Sequence, residues 1–223
     1  MKKKRLRLAR ERQRRQENRE TILHAAESVL LRRGFSEMSM NDVAAEAEFS
    51  KATLYKYFKS KAELVFEILV HFLEDMEAML TTIRGQDKSA RDRLHESLLA
   101  AVRFQAEKEN ITRVFVMDLS FMKLLQAFVA DPGRTFSEAE KRFILKIKGR
   151  RRAMIDGVGS LLAQGVASGE FRPHDVPAAA AFLGSVIEGY FHEQFWNDEK
   201  ADIAKDVRFM TDIVLRGLER RET

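Results

Sequence analysis

Three serines set ten or eleven residues apart, Ser39, Ser50 and Ser60, constrain this chain more than any other feature. A serine just before a helix accepts a hydrogen bond from one of the orphan amides of the first turn. Ser39 and Ser60 are followed three residues later by Asp42 and Glu63, the spacing of a capping box. Residues 39–61 therefore predict two brief helices and the opening of a third. The first carries a narrow apolar stripe of Val43, Ala44 and Ala47. Glu48-Phe49 makes the turn, and the second buries Leu54 and Phe58. Upstream, Thr21–Arg33 repeats apolar residues at Ile22, Leu23, Ala26, Val29 and Leu30, and Gly34 stands where a left-handed C-terminal residue is wanted, with Phe35 as its hydrophobic contact. Three such helices share one small core.

The helix after Ser50 has two chemically distinct faces. On a 3.6-residue wheel Leu54 and Phe58 lie together; Ala52, Thr53 and Lys56 fall opposite, with Lys51, Tyr55 and Tyr57 on the flanks. Short, cationic and hydroxyl-bearing side chains on the outer face suit a helix that enters a DNA groove and reaches both bases and phosphates.

The order Thr21-Ile22-Leu23-x-Ala25-Ala26, Gly34-Phe35, Ser39, Val43-Ala44, Ser50-Lys51-x-Thr53-Leu54-Tyr55-x-Tyr57-Phe58, Ser60-Lys61-x-x-Leu64 resembles the DNA-binding domain of the TetR family over about residues 19–65. The resemblance implies that Lys51, Ala52, Thr53 and Lys56 face bases and that Tyr55, Tyr57 and Lys61 hold the phosphate backbone. Ser39, Ser50 and Lys59 complete the candidate DNA contacts. One departure stands out: the family usually places Gly in the helix–helix turn, where this chain has Glu48. A positive φ there costs a residue with a Cβ roughly 1 kcal/mol or more. A rearranged turn, or strain carried by the core around Phe49, follows.

Charge is divided unevenly. Residues 1–61 hold 16 Lys/Arg and 8 Asp/Glu, a net +8, while the remainder is net −3, so the chain's total of +5 arises wholly at its N-terminal end. Binding nucleic acid through one end requires such a division. Before the first helix, Lys2, Lys3, Lys4, Arg5, Arg7, Arg10, Arg12, Arg14 and Arg15 face only Glu11. Like charges repel, and little apolar surface is available, so this segment is expected to be a mobile arm. Arg7, Arg10, Arg12, Arg14 and Arg15 are its candidate DNA contacts, along phosphates or in an adjacent minor groove. A solubilising tail would have the same composition.

Only 3 Pro and 11 Gly interrupt the chain, and no stretch alternates with strand periodicity. The fold class is therefore all-α, with about nine helices. The expected division is a basic arm at 1–15, a helix-turn-helix DNA-binding domain at 16–62, and a ligand-binding and dimerisation domain at 63–223. Without Cys there is no disulfide, thiolate metal site or cysteine redox switch. Charges interrupt every apolar run, so no membrane span is expected. The N-terminal segment lacks the apolar stretch of a secretory signal, which points to a cytoplasmic protein. The five His are scattered, with no His-Glu-x-x-His, Gly-x-Ser-x-Gly or phosphate-binding glycine loop. Neither an enzyme nor a cofactor is expected.

Beyond Ser60 the helices are amphipathic. A long helix to about Thr81 is apolar on more than one face and is the natural lever between domains. Further helices are expected at about 89–107, 111–129, 137–168, 176–196 and 200–218, with Asp131-Pro132-Gly133 as a turn. Small residues (Ala178–Ala181, Gly184, Gly189) lie among large ones on the penultimate helix. The last pair resembles the two-fold four-helix interface of TetR-family subunits, with Ala179, Phe182, Val186, Tyr190, Met210, Ile213 and Val214 as candidate contacts. An intrachain packing face has the same periodicity. Two-fold operators need two-fold proteins, which favours a homodimer.

Sixteen Phe and nine Met make a deformable interior. Family resemblance turns part of it into a candidate ligand cavity: Phe66, Leu69, Leu73, Phe104, Met117, Phe121, Met154, Val158 and Glu188. Lys146, Lys148, Arg150, Arg151 and Arg152 either form a solvated face or bind an anionic head group such as coenzyme A phosphates. Glu188 and His192, four apart on one helical face, can share a proton, contact a ligand or form a structural hydrogen bond. Together these features imply a DNA-binding regulator, a repressor released from a palindromic double-stranded operator by a small lipophilic effector such as an acyl-CoA. The alternatives are a constitutive DNA-binding dimer and a regulator controlled by a protein partner.

Overall fold

The computed structural model describes residues 2–130, 137–194 and 202–218. The Asp131–Gly133 turn and the side chains of Lys2, Lys3 and Lys4 lie outside the described residues. Ten helices make up the described chain: α1 (Lys2–Glu37), α2 (Met40–Glu46), α3 (Lys51–Tyr57), α4 (Lys61–Arg84), α5 (Ala90–Glu107), α6 (Glu109–Met117), α7 (Leu119–Ala130), α8 (Glu138–Ala167), α9 (Val176–Gln194) and α10 (Ile203–Leu218). Packing groups them into two units. One holds residues up to Val70 together with Met117–Leu145; the other holds His71–Val116 and the chain from Lys146.

In the first unit the expected caps are in place. The Ser39 hydroxyl accepts from the Asp42 amide at 3.2 Å, and the Asp42 carboxylate accepts from the Ser39 amide at 3.1 Å. The Ser39 hydroxyl's own hydrogen bond to that carboxylate is the chief reason Asp42 titrates below the usual carboxylate range. Ser50 accepts from the Thr53 amide at 3.1 Å and Ser60 from the Glu63 amide at 3.2 Å, while Glu63 reaches back to the Lys59 amide. Gly34 takes φ 73°, and the chain bends there within α1 so that Phe35 turns into the core.

Two expectations about helices change. The basic arm is not a mobile coil: α1 begins at Lys2. Arg, Glu, Gln, Ala and Leu are strong helix formers, and three i,i+4 pairs run along the exposed face: Arg7–Glu11 at 3.1 Å, and Gln13–Glu17 and Gln16–Glu20 at 2.9 Å. The segment expected as one helix over 111–129 is two, divided at Asp118. That carboxylate caps α7 by accepting from the Ser120 and Phe121 amides, and its other oxygen accepts from the Phe35 amide at 2.8 Å. A helix break made by a capping Asp, with no Gly or Pro nearby, leaves little trace in periodicity.

Asp118 also accounts for the boundary of the first unit. It holds α7 beside the bend at Gly34, where the Phe121 ring packs 5.7 Å from Phe35 and 6.3 Å from Phe66. Leu64, Val65 and Phe66, in the first turns of α4, are fully buried in the same unit. The capping box at Ser60 thus marks the start of a helix, whereas the packing boundary comes at Val70 and the first unit reclaims 117–145.

The second unit has its own core. Leu94 and Leu98 of α5, Leu161 and Leu162 of α8, Leu183 of α9 and Leu215 of α10 pack around Phe171. Gly165 makes this possible, because a Cβ at that position would overlap the Phe171 ring. A smaller cluster joins Val102, Phe191 and Val207, and Phe72 packs tilted against Phe104 at 5.2 Å and edge-to-face with Phe115 at 5.6 Å. Among the described residues no helix is long and apolar enough to cross a membrane.

Candidate nucleic-acid interface

The short helix α3 is fixed from below and open above. Leu54 and Phe58 are buried in the three-helix core, while Lys51, Ala52, Tyr55 and Lys56 are exposed and Thr53 is half-buried beneath the Ser50 hydroxyl. The far end of α3 is held by Arg19 of α1. Its guanidinium lies 4.3 Å from the Phe58 ring centroid, donates to the Tyr57 carbonyl at 3.4 Å and clamps the buried Glu67 carboxylate of α4, with one contact at 2.8 Å. Tyr57 is tied down as well, its hydroxyl accepting from Asn18 at 3.0 Å.

The turn before α3 contains the strain anticipated at Glu48, which is the one non-glycine residue with positive φ (57°) among those described. Replacing it with Gly removes the left-handed penalty of ~1–2 kcal/mol, partly offset by ~0.4–1 kcal/mol of added unfolded-chain entropy. Glu48→Gly should therefore raise stability by about 0.5–1 kcal/mol. Urea unfolding of the two proteins checks this, and a fall would mean that the carboxylate itself supports the turn.

Two expected DNA contacts, Lys61 and Lys59, have intrachain partners. The Lys61 ammonium donates to the carbonyls of Phe35 at 2.8 Å, Ser36 at 3.1 Å and Met38 at 3.3 Å, and lies 4.6 Å from the Phe35 ring centroid. It closes the C-terminal end of α1, a role that cannot be read locally because the carbonyls are some 25 residues away in sequence. Lys59 donates to the Tyr55 carbonyl at 2.7 Å. Ser39 and Ser50 act as caps. Arg32 and Arg33 are neutralised by Glu46 and Asp42, whereas Lys51 and Lys56 on the outward face of α3 and the arginines at the start of α1 are exposed. There Arg7, Arg10, Arg14 and Arg15 line a shallow groove of about 590 Å³ together with Leu6, Glu11 and Tyr57. Arg12 is exposed outside this set.

Residues 22–68 match the family model for bacterial regulatory proteins of the tetR family. The chain carries a DNA-binding domain of the TetR type. It is 28% identical over 189 residues to the uncharacterized HTH-type transcriptional regulator YfiR of Bacillus subtilis, a match covering 82% of this chain and 83% of that relative. Its fold resembles that of a tetR-family regulatory protein from Rhodococcus RHA1, with TM-score 0.71, 21% identity and coverage of 92% and 98%. It also resembles that of FadR from Bacillus subtilis in complex with stearoyl-CoA, with TM-score 0.64, 19% identity and coverage of 88% and 97%.

The second unit contains a cavity of about 270 Å³ between α4, α5, α8 and α9. Of the nine expected ligand residues, Met154, Val158 and Glu188 line it. Phe66 and Phe121 are instead filled core of the first unit, Leu69 is buried there, and Met117 belongs to that unit too. Leu73 is buried in the second unit and Phe104 is packed against Phe72; neither reaches the cavity. The remaining lining includes Met76, Leu80, Ser97, Ala101 and Gly184; the last three escape a search for aromatic and Met residues because small side chains create the space.

Three arginines of the basic run of α8 are paired with carboxylates. Arg150 is held by Glu74 at 2.8 Å and Glu77 at 2.9 Å, Arg151 by Glu188, and Arg152 by Asp156. Glu188 is thereby engaged with Arg151. The expected dimer residues also divide. Phe182 and Ile213 are exposed and Val186 is half-buried, whereas Ala179 and Val214 pack inward on the second unit's core. Met210 and Tyr190 pack on the Phe191 cluster, and burial, with a hydrogen bond to Asp206 at 3.0 Å, pushes the Tyr190 hydroxyl far above its ordinary pKa. The sequence reading missed Phe209, which is exposed on α10.

Proposed function

We propose that the chain is a dimeric repressor that a small lipophilic effector releases from its operator. The supporting observation is the apolar cavity of the second unit, lined in part by Met76 and Leu80 of α4, the helix whose first turns are core to the DNA-binding unit. A ligand that binds better to one position of a continuous helix than to another shifts the population of reading-helix positions. Two copies of α3, each offering Lys51, Ala52, Thr53 and Lys56, then meet successive major grooves in the unliganded dimer only.

The stearoyl-CoA of the FadR neighbour supports an acyl effector. The cavity, near the lower end of the ~300–1,000 Å³ typical of small-molecule sites, favours a short buried body over a long chain. With Arg150, Arg151 and Arg152 already paired, the apolar part of the effector supplies most of the binding.

The test begins with an operator selected from random duplexes and measured by gel shift. Thr53→Ala and Lys56→Ala should each weaken it by about 1–3 kcal/mol without altering the oligomeric state. Medium-chain acyl-CoAs and fatty acids are then screened for raised thermal stability and operator release. A compound that stabilises the protein and frees DNA supports the reading. Full operator affinity in both variants, or stabilisation without release, overturns it.

A further inference from the structure

We infer that the effector carries an uncharged oxygen, a hydroxyl or a carbonyl, which hydrogen-bonds to Ser97 inside the cavity of the second unit; this rests on the cavity being the effector site. Ser97 lies on α5, is 3% exposed and lines the cavity. Its hydroxyl oxygen is buried without a hydrogen-bond partner. Helical hydroxyls ordinarily satisfy themselves on the carbonyl one turn back. Thr82, Ser185 and Thr211 do so here, on Ala78, Ala181 and Val207, at 3.0, 3.1 and 2.7 Å. Ser97 does not.

A buried hydroxyl left unpaired costs about 1–3 kcal/mol, so the group needs a partner that the protein does not supply. Water is a poor one, because a buried water needs two to four polar contacts: Leu94, Leu98 and Ala101 beside Ser97 on α5 are apolar, Gln105 lies two turns further along, and the Ser185 hydroxyl already donates to the Ala181 carbonyl. The oxygen supplied must be uncharged. The one cation lining the cavity, Arg151, is an exposed residue already paired with Glu188, and a carboxylate facing a single hydroxyl would be desolvated without compensation.

2-Naphthol and naphthalene, alike in shape and differing by one hydroxyl, are the probes; binding is followed by fluorescence titration and thermal unfolding of the full chain. Ser97→Ala should fold with equal or greater thermal stability, since it deletes an unpaired polar atom. It should bind 2-naphthol about fivefold or more weakly while naphthalene affinity stays unchanged, and Ser97→Thr should retain the preference for 2-naphthol. Equal affinity changes for both probes, or none for either, overturn the role of Ser97 and leave the cavity standing as the effector site. If neither probe binds the unsubstituted protein, the cavity reading itself fails and this inference falls with it.

Discussion

Arg19→Met should lower the stability of the DNA-binding unit by about 3 kcal/mol, at the low end of what removing one partner of a buried ion pair costs. Met keeps an apolar side chain of similar length but removes the guanidinium that lies over the Phe58 ring, together with the charge and the hydrogen bonds to Glu67 and to the Tyr57 carbonyl. Glu67 then remains buried with its carboxylate unpaired, and this, more than the lost attraction, sets the penalty. The reasoning predicts a partial rescue: Arg19→Met with Glu67→Met should recover most of the loss, since two apolar side chains of similar volume replace the pair. Urea midpoints of the two single variants and the double variant decide the matter. An unchanged midpoint in Arg19→Met would mean that Glu67 is solvated in solution and that the clamp contributes little.

What can be read from the chain follows from how local each interaction is. The caps at Ser39, Ser50 and Ser60, the bend at Gly34 and the strained Glu48 are settled within four residues of chain, and the structure agrees with each. The two faces of α3 are legible for the same reason, because one helical turn decides that Leu54 goes inward and Lys56 outward. Arg19 and Lys61 show the opposite case. Both are basic residues in a basic domain and read as surface charge, yet each is spent on partners 23 to 48 residues away, Glu67 for one and the Phe35–Met38 carbonyls for the other. A count of charges cannot separate a cation that closes a helix from one that waits for DNA.

The cavity was harder to place because large apolar residues mark where space is filled. Phe66 and Phe121 suit a pocket by composition, yet both are fully buried in packed core. The usable volume lies where Ala101, Ala180 and Gly184 leave room, and only the packing of α5 against α9 shows which small residues do so. The long arm failed in another way. Like charges argued for a coil, but its Arg, Glu and Gln side chains are good helix formers whose i,i+4 pairs outweigh the repulsion along an exposed helix.

Phe182→Asp combined with Ile213→Asp should convert the protein to a folded monomer and reduce operator affinity at least a hundredfold. Phe182, Phe209 and Ile213 are 61%, 66% and 56% exposed on the α9–α10 pair, whose inward residues Leu183 and Leu215 are already buried. Three large apolar side chains are exposed on these two helices, as are Ala178, Ala181 and Gly189; water disfavours them and a second copy of the chain can cover them. In a two-fold interface each substitution is made twice, and a central apolar contact is worth ~2 kcal/mol or more, so dimerisation should weaken by several orders of magnitude. DNA affinity follows because the second half-site is then engaged at bulk concentration instead of the ~mM effective concentration that a tethered partner provides. The helical circular dichroism should be unchanged, since both side chains point to solvent in the monomer. Sedimentation velocity gives the answer directly: a persistent dimer carrying both aspartates would exclude this face, and two-fold operator recognition would then have to rest on some other surface of the chain.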